Sequence, residues 1–330
     1  MGNEWMMGVP PVTRRVRAFF APVDRASGQA TLWDPSAIQA FASDVPPAPW
    51  IDLGWCSGLQ RRSTTKTVAL LSGSPAIAAA QIRQEVEATV SLHFASWGKL
   101  QMALSSGVQQ MNVLRTQSGV AANGSGGSAL AAVALLSHST ATALDVGAGA
   151  SGFQLGDLVA VDVDYTGQTG FVGSGISGGY VKLPSLIRND PDYVRRITLN
   201  VSRVISISGG LLTLGGALPA GIPTAAMKVS RVVGFCDREG GSFFQEWSAL
   251  FVMDGEQGDR IVFHYPRLQA MAGPAEAADP LGQAGVKQGA GGLEKIQLQG
   301  SFRALPVRDA NDGELIVCFR SYLPGAMRAV

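Results

Sequence analysis

The sequence predicts a mainly β protein: a β-sandwich or barrel with one short flanking α-helix and a small inserted β domain. Three observations carry this. The first is an alternation over residues 82–94. Ile82, Val86, Ala88, Val90, Leu92 and Phe94 fall on one parity, broken only by Gln84, and Arg83, Glu85, Glu87, Thr89, Ser91 and His93 fall on the other. Side chains of a strand alternate between its faces, so this stretch has a dry side and a wet side. At about 3.3 Å per residue it spans roughly 45 Å, about twice an ordinary strand. The second observation is punctuation: 41 glycines, with proline, break the chain into short segments, which favours strands and turns over long helices. The third is a change of period after the long strand. Ser96 is a candidate cap, and Trp97, Leu100, Ala103 and Leu104 follow at the spacing of a helical stripe.

Taken in order, residues 13–23 read as a strand after a proline-rich arm, with Arg14, Arg15 and Arg17 bunched as a solvated face or subunit contact. A loop with Trp33, Asp34 and Pro35 precedes a strand at 50–60 that is expected to kink near Gly54. Residues 61–74 are polar around an apolar VALL and read as the first arm of a hairpin leading into the long strand. Residues 117–128 (QSGVAANGSGGS) are a linker by composition. Short apolar strands follow at 156–163, 179–183, 197–201, 204–207 and 211–214, with Gly209-Gly210 as a two-residue hairpin turn. Residues 150–225 are therefore expected to form the inserted domain, between a main domain's N-terminal part (1–149) and C-terminal part (226–330). In the latter, 247–253 and 260–265 read as a hairpin around Asp254-Gly255, and 273–292 as a Gly/Ala/Pro-rich loop. Residues 293–305 alternate again, Ile296, Leu298, Phe302 and Ala304 against Lys295, Gln297, Gln299, Ser301 and Arg303. A turn at 309–313 feeds the last strand, at 314–322.

Composition narrows the function classes. The formal net charge is +1, which gives no basic footprint for gripping nucleic acid. Cys56, Cys236 and Cys318 are far apart, without metal spacing, and are expected to sit buried as small hydrophobes in a reducing compartment. No secretory signal is visible, and no apolar run approaches the ~18 residues that span a bilayer. A soluble product made in a cytoplasm is the expectation.

Several motifs match catalytic patterns, and each fails on context. Residues 147–152 and 173–178 both satisfy G-x-G-x-x-G, but each leads into a β-like segment rather than the helix a dinucleotide needs. Residues 175–179 match a nucleophile elbow, again without its helix. Asp162-x-Asp164-x-Thr166-Gly167 begins like a calcium loop, yet Gly173 stands where a bidentate Glu should close it. His93, His138 and His264 share no metal or triad spacing. No catalytic residue, cofactor or metal is expected.

Three blocks carry a family resemblance: WIDLGW followed by LQRRSTTKTVALLSG; the long strand running into SWGKLQMALSSGVQQMNVL; and HYPRLQA followed by LQGSFRALPVRDANDGELIVCFRSYLPG. Together they cover about 60% of the chain, and they resemble the tail tube (major tail) protein of long-tailed bacteriophages; the 150–225 insert departs from the compact members. The resemblance implies a β-sandwich with a flanking helix, with six copies forming a ring whose long strands line a channel. It further implies rings stacked into a virion tail tube, assembled in the host cytoplasm with tape measure, terminator and distal tail proteins. DNA would pass through without specific binding, and no membrane partner is implied. In such a ring the wet face would line the bore through Arg83, Glu85, Glu87, Thr89 and Ser91, joined by Gln297 and Gln299, and the long strand's two Glu against one Arg would leave it mildly acidic. The dry face, Val86 included, would pack on the sandwich and on the helix through Trp97, Leu100 and Leu104. The alternatives are another virion β-sandwich (a tail terminator, baseplate ring or adhesin-like module) and a hydrolytic enzyme using Asp162, Asp164 or Ser177.

Overall fold

The computed structural model describes residues 15–23, 28–41, 46–47, 49–107, 110–115, 130–162, 200–237, 245–255, 258–271, 275–280 and 294–324. The chain is mainly β, with large antiparallel sheets and few helices. It begins with β1 (Arg15–Pro22), β2 (Ile51–Ser72) and β3 (Ile77–Phe94), the last two forming one very long hairpin. The helix α1 (Lys99–Ser106) follows. Next come β4 (Gln110–Leu114), β5 (Val133–Ala134), β6 (Ala143–Asp145), β7 (Leu158–Asp162), β8 (Val201–Ser208), β9 (Leu211–Leu214) and β10 (Lys228–Asp237). The chain returns through β11 (Glu246–Asp254), β12 (Arg260–Ala270), β13 (Ala275–Pro280), β14 (Glu294–Ala304), β15 (Val307–Arg308), β16 (Leu315–Ile316) and β17 (Phe319–Leu323).

The main sheet runs β14-β3-β2-β1-β11-β12, and β12 pairs back onto β14, closing a six-stranded antiparallel barrel. Closure removes the sheet edges that would otherwise seek partners. The closing seam is short, from Leu268–Ala304 to Ala270–Phe302, and α1 packs against both of its strands. Inside, Phe20, Trp247, Phe251, Tyr265, Leu268 and Phe302 interlock with Val90 and Leu92 of β3. Phe20 meets Trp247 and Phe251 edge-on, ring centres 6.4 and 6.0 Å apart, the arrangement that aromatic quadrupoles favour. On the outer side of β1, β11 and β12, Trp33, Phe41 and Trp50 cover Phe19, Leu250, Val252 and Val262. The expected kink at Gly54 is a bulge: the register with β1 slips between Ala18 and Phe19, and Gly54 takes φ +82°.

The second sheet runs β4-β10-β7-β8-β9-β6, with β5 on β10, around Leu144, Phe153, Val159, Val161, Val204 and Leu212. It does not coincide with the expected interval 150–225, because β4, β5 and β6 precede that interval and β10 follows it. The expected turn at Gly209-Gly210 joins β8 to β9, with φ +59° and +89°. A Cβ on Gly210 would lie 3.0 Å from the Gly147 backbone. Residues 147–152 form a 3-10 turn that leads into extended Phe153, so this G-x-G-x-x-G is a close backbone contact rather than a phosphate cradle. The expected strand 179–183, the second glycine motif, the linker 117–128, Arg14, Asp164 and Ser177 lie outside the described residues.

The expected loop at 273–292 begins instead with β13, whose backbone pairs along β14 from Ala275–Gln299 to Pro280–Glu294. A Gly/Ala-rich stretch offers no alternation to read, and the ladder of its neighbour sets its conformation. At the C-terminus, Gly313 at φ +78° and the Asp309 carboxylate, which accepts from the Asn311 backbone N–H, make the expected turn between β15 and β16.

Candidate functional site

The hairpin of β2 and β3 is longer than the barrel it belongs to. β1 covers β2 only from Ile51 to Cys56, and β14 covers β3 only from Ala88 to His93. Beyond those limits, among the described residues, the two strands pair only with each other, out to Ser72–Ile77. Residues 63–87 are all exposed. The barrel ends where β2's inward parity turns polar. Cys56 faces Phe94, but Arg61 faces Val90, Ser63 faces Ala88 and Thr65 faces Val86. Arg61 closes this mouth, its Nε donating to the Tyr265 hydroxyl at 2.6 Å and its guanidinium 3.8 Å from the Phe263 ring centre.

Val86 was expected on the packed dry side; it is 46% exposed, and Ile82 is 49% exposed. Both lie beyond the mouth, where there is no core to receive them. Val68, Leu70, Leu71 and Ile77 are likewise exposed. A register shift at Lys66/Thr67 adds Gln84 as an extra residue on β3, which is the break in the alternation. Lys66 pairs with Glu85, whereas Thr67 pairs with Arg83 and Val68 with Ile82. Consecutive residues of β2 face opposite ways, so Ile82, Val68 and Leu70 share the Lys66–Glu85 face and Arg83 turns to the other. Arg83 therefore leaves the expected polar row.

The rest of that row stays partly together on the barrel's outer face. Ser91 lies between Gln60 and Ser301, Thr89 between Arg62 and Arg303, and Gln299 beside His93. Gln297 pairs with Ala277 of β13, off the end of β3. The face is not acidic. Lys66, Arg62 and Arg303 come from neighbouring strands to stand beside Glu85 and Glu87, and Arg303 Nη2 donates to Glu87 Oε1 at 2.7 Å. One strand's charges could not reveal what its neighbours contribute. Further along, Arg17 grips both carboxylate oxygens of Asp52, and Arg15 and Arg17 flank the half-exposed Trp55. Gly58, at φ +61°, lets β2 pass the His93 ring, where a Cβ would come within 2.6 Å of Nδ1.

The helix packs as expected through Leu104, fully buried, and Leu100, half-buried against the barrel core. Trp97 does not. The helix starts after Gly98, and Trp97 lies ahead of it, 49% exposed. Its indole N–H donates to Glu276, and its ring leans on Phe235, 6.0 Å away. Ser96 likewise caps nothing; its hydroxyl accepts from Gln101.

The chemistry-bearing groups that are described stand apart. His264 is buried, with Trp50 edge-on to it and Phe319 stacked on it, and burial holds its pKa down at about 4. His138 sits 3.3 Å from Asp145 on the surface. Cys56 and Cys318 are half-buried rather than fully buried, and burial raises both thiols, Cys56 to about 11. Among the described residues no three His, Cys, Asp or Glu gather as a metal site, and no helix is long and apolar enough to cross a membrane. No protein family matches the chain, and no characterised protein matches it in sequence.

Proposed function

We propose that this chain is a structural protein that assembles with copies of itself through the projecting hairpin. The assembly is a ring, six copies in the family its sequence resembles, and the rings stack into a tail tube that conducts DNA from a virion to its host. The observation that carries this reading is the outer half of β2 and β3. A two-stranded hairpin alone in water is marginal, and here, among the described residues, no other strand pairs with either outer edge over most of its length. The same segment exposes six large apolar side chains, Val68, Leu70, Leu71, Ile77, Ile82 and Val86. Burying them against neighbours would contribute on the order of 5 kcal/mol per copy. Edges and apolar side chains are both satisfied when neighbouring copies add strands.

On this reading the outer polar face of β2, β3 and β14 borders the bore, through Glu85, Glu87, Thr89, Ser91 and Gln299. Its interleaved Arg, Lys and Glu leave no large field of one sign to hold passing phosphates. Tape measure, terminator and distal tail proteins are the partners, the virion tail is the location, and no catalysis is involved. The test is assembly of the purified protein over a range of concentrations, followed by light scattering and negative-stain imaging. Rings and tubes are expected. A monomer at every concentration, also alongside its partner tail proteins, would overturn the reading.

A further inference from the structure

We propose that Lys99 and Asn112 join covalently, the lysine amine displacing ammonia from the asparagine side chain to leave an amide bond within one copy. The two residues meet in a cleft of about 380 Å³ between the start of β2, the helix α1 and the second sheet. Its walls include Ile51, Leu100, Leu158, Val201, Val232 and Phe235, and the polar side chains lining it are Lys99 and Asn112. The Lys99 ammonium donates to the Asn112 side-chain oxygen. Asn112 is 1% exposed, and Lys99 is half-buried. Both stand on fixed backbone. Lys99 opens α1, where the Met102 N–H donates to the Gly98 carbonyl at 2.9 Å, and Asn112 lies opposite Phe235 in the β4–β10 ladder.

The surroundings favour the reaction. Apolar walls disfavour a charged amine and so favour its uncharged, nucleophilic form, while the half-buried position of Lys99 leaves its proton a way out to water. Holding amine and amide in contact on rigid elements replaces a bimolecular encounter with an intramolecular one. The uncharged Nζ adds to Cγ of Asn112, and the bond from Cγ to Nδ2 breaks. Nδ2 leaves as ammonia, carrying the proton that Nζ gives up. The product is a secondary amide, and a positive charge has left the apolar cleft, where it was costly to keep. The bond closes residues 99–112 into a covalent loop and ties α1, which packs on the barrel strands β12 and β14, to β4 of the second sheet. Force that pulls the second sheet from the barrel then meets a covalent tie at this cleft. The inference is independent of the assembly proposed above, because it concerns a single copy.

Mass spectrometry of the purified full chain, unfolded in denaturant before it is weighed, supplies the test. The wild type is expected to be lighter than its sequence by one ammonia, and Lys99→Arg to have the full mass of its own sequence. Trypsin cuts an unmodified chain after Arg83, Lys99 and Arg115. An acylated Lys99 resists it, so the wild type is expected to yield residues 84–115 as one peptide, one ammonia short, with fragment ions that place the link between Lys99 and Asn112. A wild-type chain of full mass would overturn the proposal. So would a lighter chain that trypsin still opens after Lys99, the result that ring closure of Asn112 onto its own backbone gives. Neither result bears on ring or tube formation, which the imaging described above reads separately.

Discussion

Both halves of β3 carry large apolar side chains, and these meet opposite fates. From Ala88 to Phe94 the apolar parity is buried, with Val90 1% and Leu92 0% exposed, because β14 and β2 flank it and α1 and the barrel strands fill the space beneath. Before Ala88 the apolar residues continue, yet Ile82 and Val86 stand in solvent. The pattern in a strand states which side chains need cover. Whether the chain itself provides it depends on how far the neighbouring strands extend. Here β1 and β14 stop early, and on the proposed reading the cover for the outer half comes from another copy.

The largest effect that separates the halves is truncation of a core side chain. Phe302→Ala inside the barrel is expected to cost about 3–5 kcal/mol in urea unfolding of the monomer, through lost burial and the cavity left behind. Ile82→Ala is expected to change monomer stability by less than ~0.5 kcal/mol and to impair assembly instead. An equal monomer loss at both positions would erase the distinction.

Acid should act on the barrel half through His264. The buried His264 takes up a proton only near pH 4, while in the unfolded chain it does so near 6.5. The unfolded state therefore binds more protons between these values, so stability is fully present above about pH 6.5 and declines as pH falls toward 4. The full difference is about 3 kcal/mol. Urea midpoints measured from pH 7 to pH 4 should fall for wild type and fall less for His264→Gln. Equal slopes would remove His264 as the cause.

The outer polar face should respond least. The Arg303–Glu87 pair is half-exposed on both sides, so Glu87→Lys is expected to lower monomer stability by less than about 1 kcal/mol. In tubes, converting both Glu85 and Glu87 to Lys would leave Arg62, Lys66 and Arg303 without their counter-charges. DNA should then be retained in transit, with delivery recovering partly at higher salt. Unchanged delivery from such particles would place this face away from the bore.

How much of this was legible depends on whether the signal was local. The alternation marks β3, and its single fault at Gln84 is the extra residue of a bulge, so even the exception carried structure. The end of the barrel was legible too, though in the partner strand: β2 turns polar at Arg61, Ser63 and Thr65, opposite Val90, Ala88 and Val86. Val86 and Val90 look alike on their own strand, which is why parity alone assigned both to the core. The second sheet was only half visible, because β4 joins it through a pairing with β10 more than a hundred residues away. The charge of the polar face was misread for the same reason, since Arg62, Lys66 and Arg303 reach it from adjacent strands. Trp97 fitted the helical spacing, but Gly98 delays the helix and leaves its ring to Phe235.

The central claim, that another copy completes the outer half of the hairpin, is tested most directly by amide hydrogen exchange across residues 57–87, compared between dilute monomer and assembled protein. Rapid exchange is expected from 63 to 87 in the monomer, slow exchange there after assembly, and slow exchange at 88–94 in both states. Protection of 63–87 already in the monomer, or none gained on assembly, would contradict it.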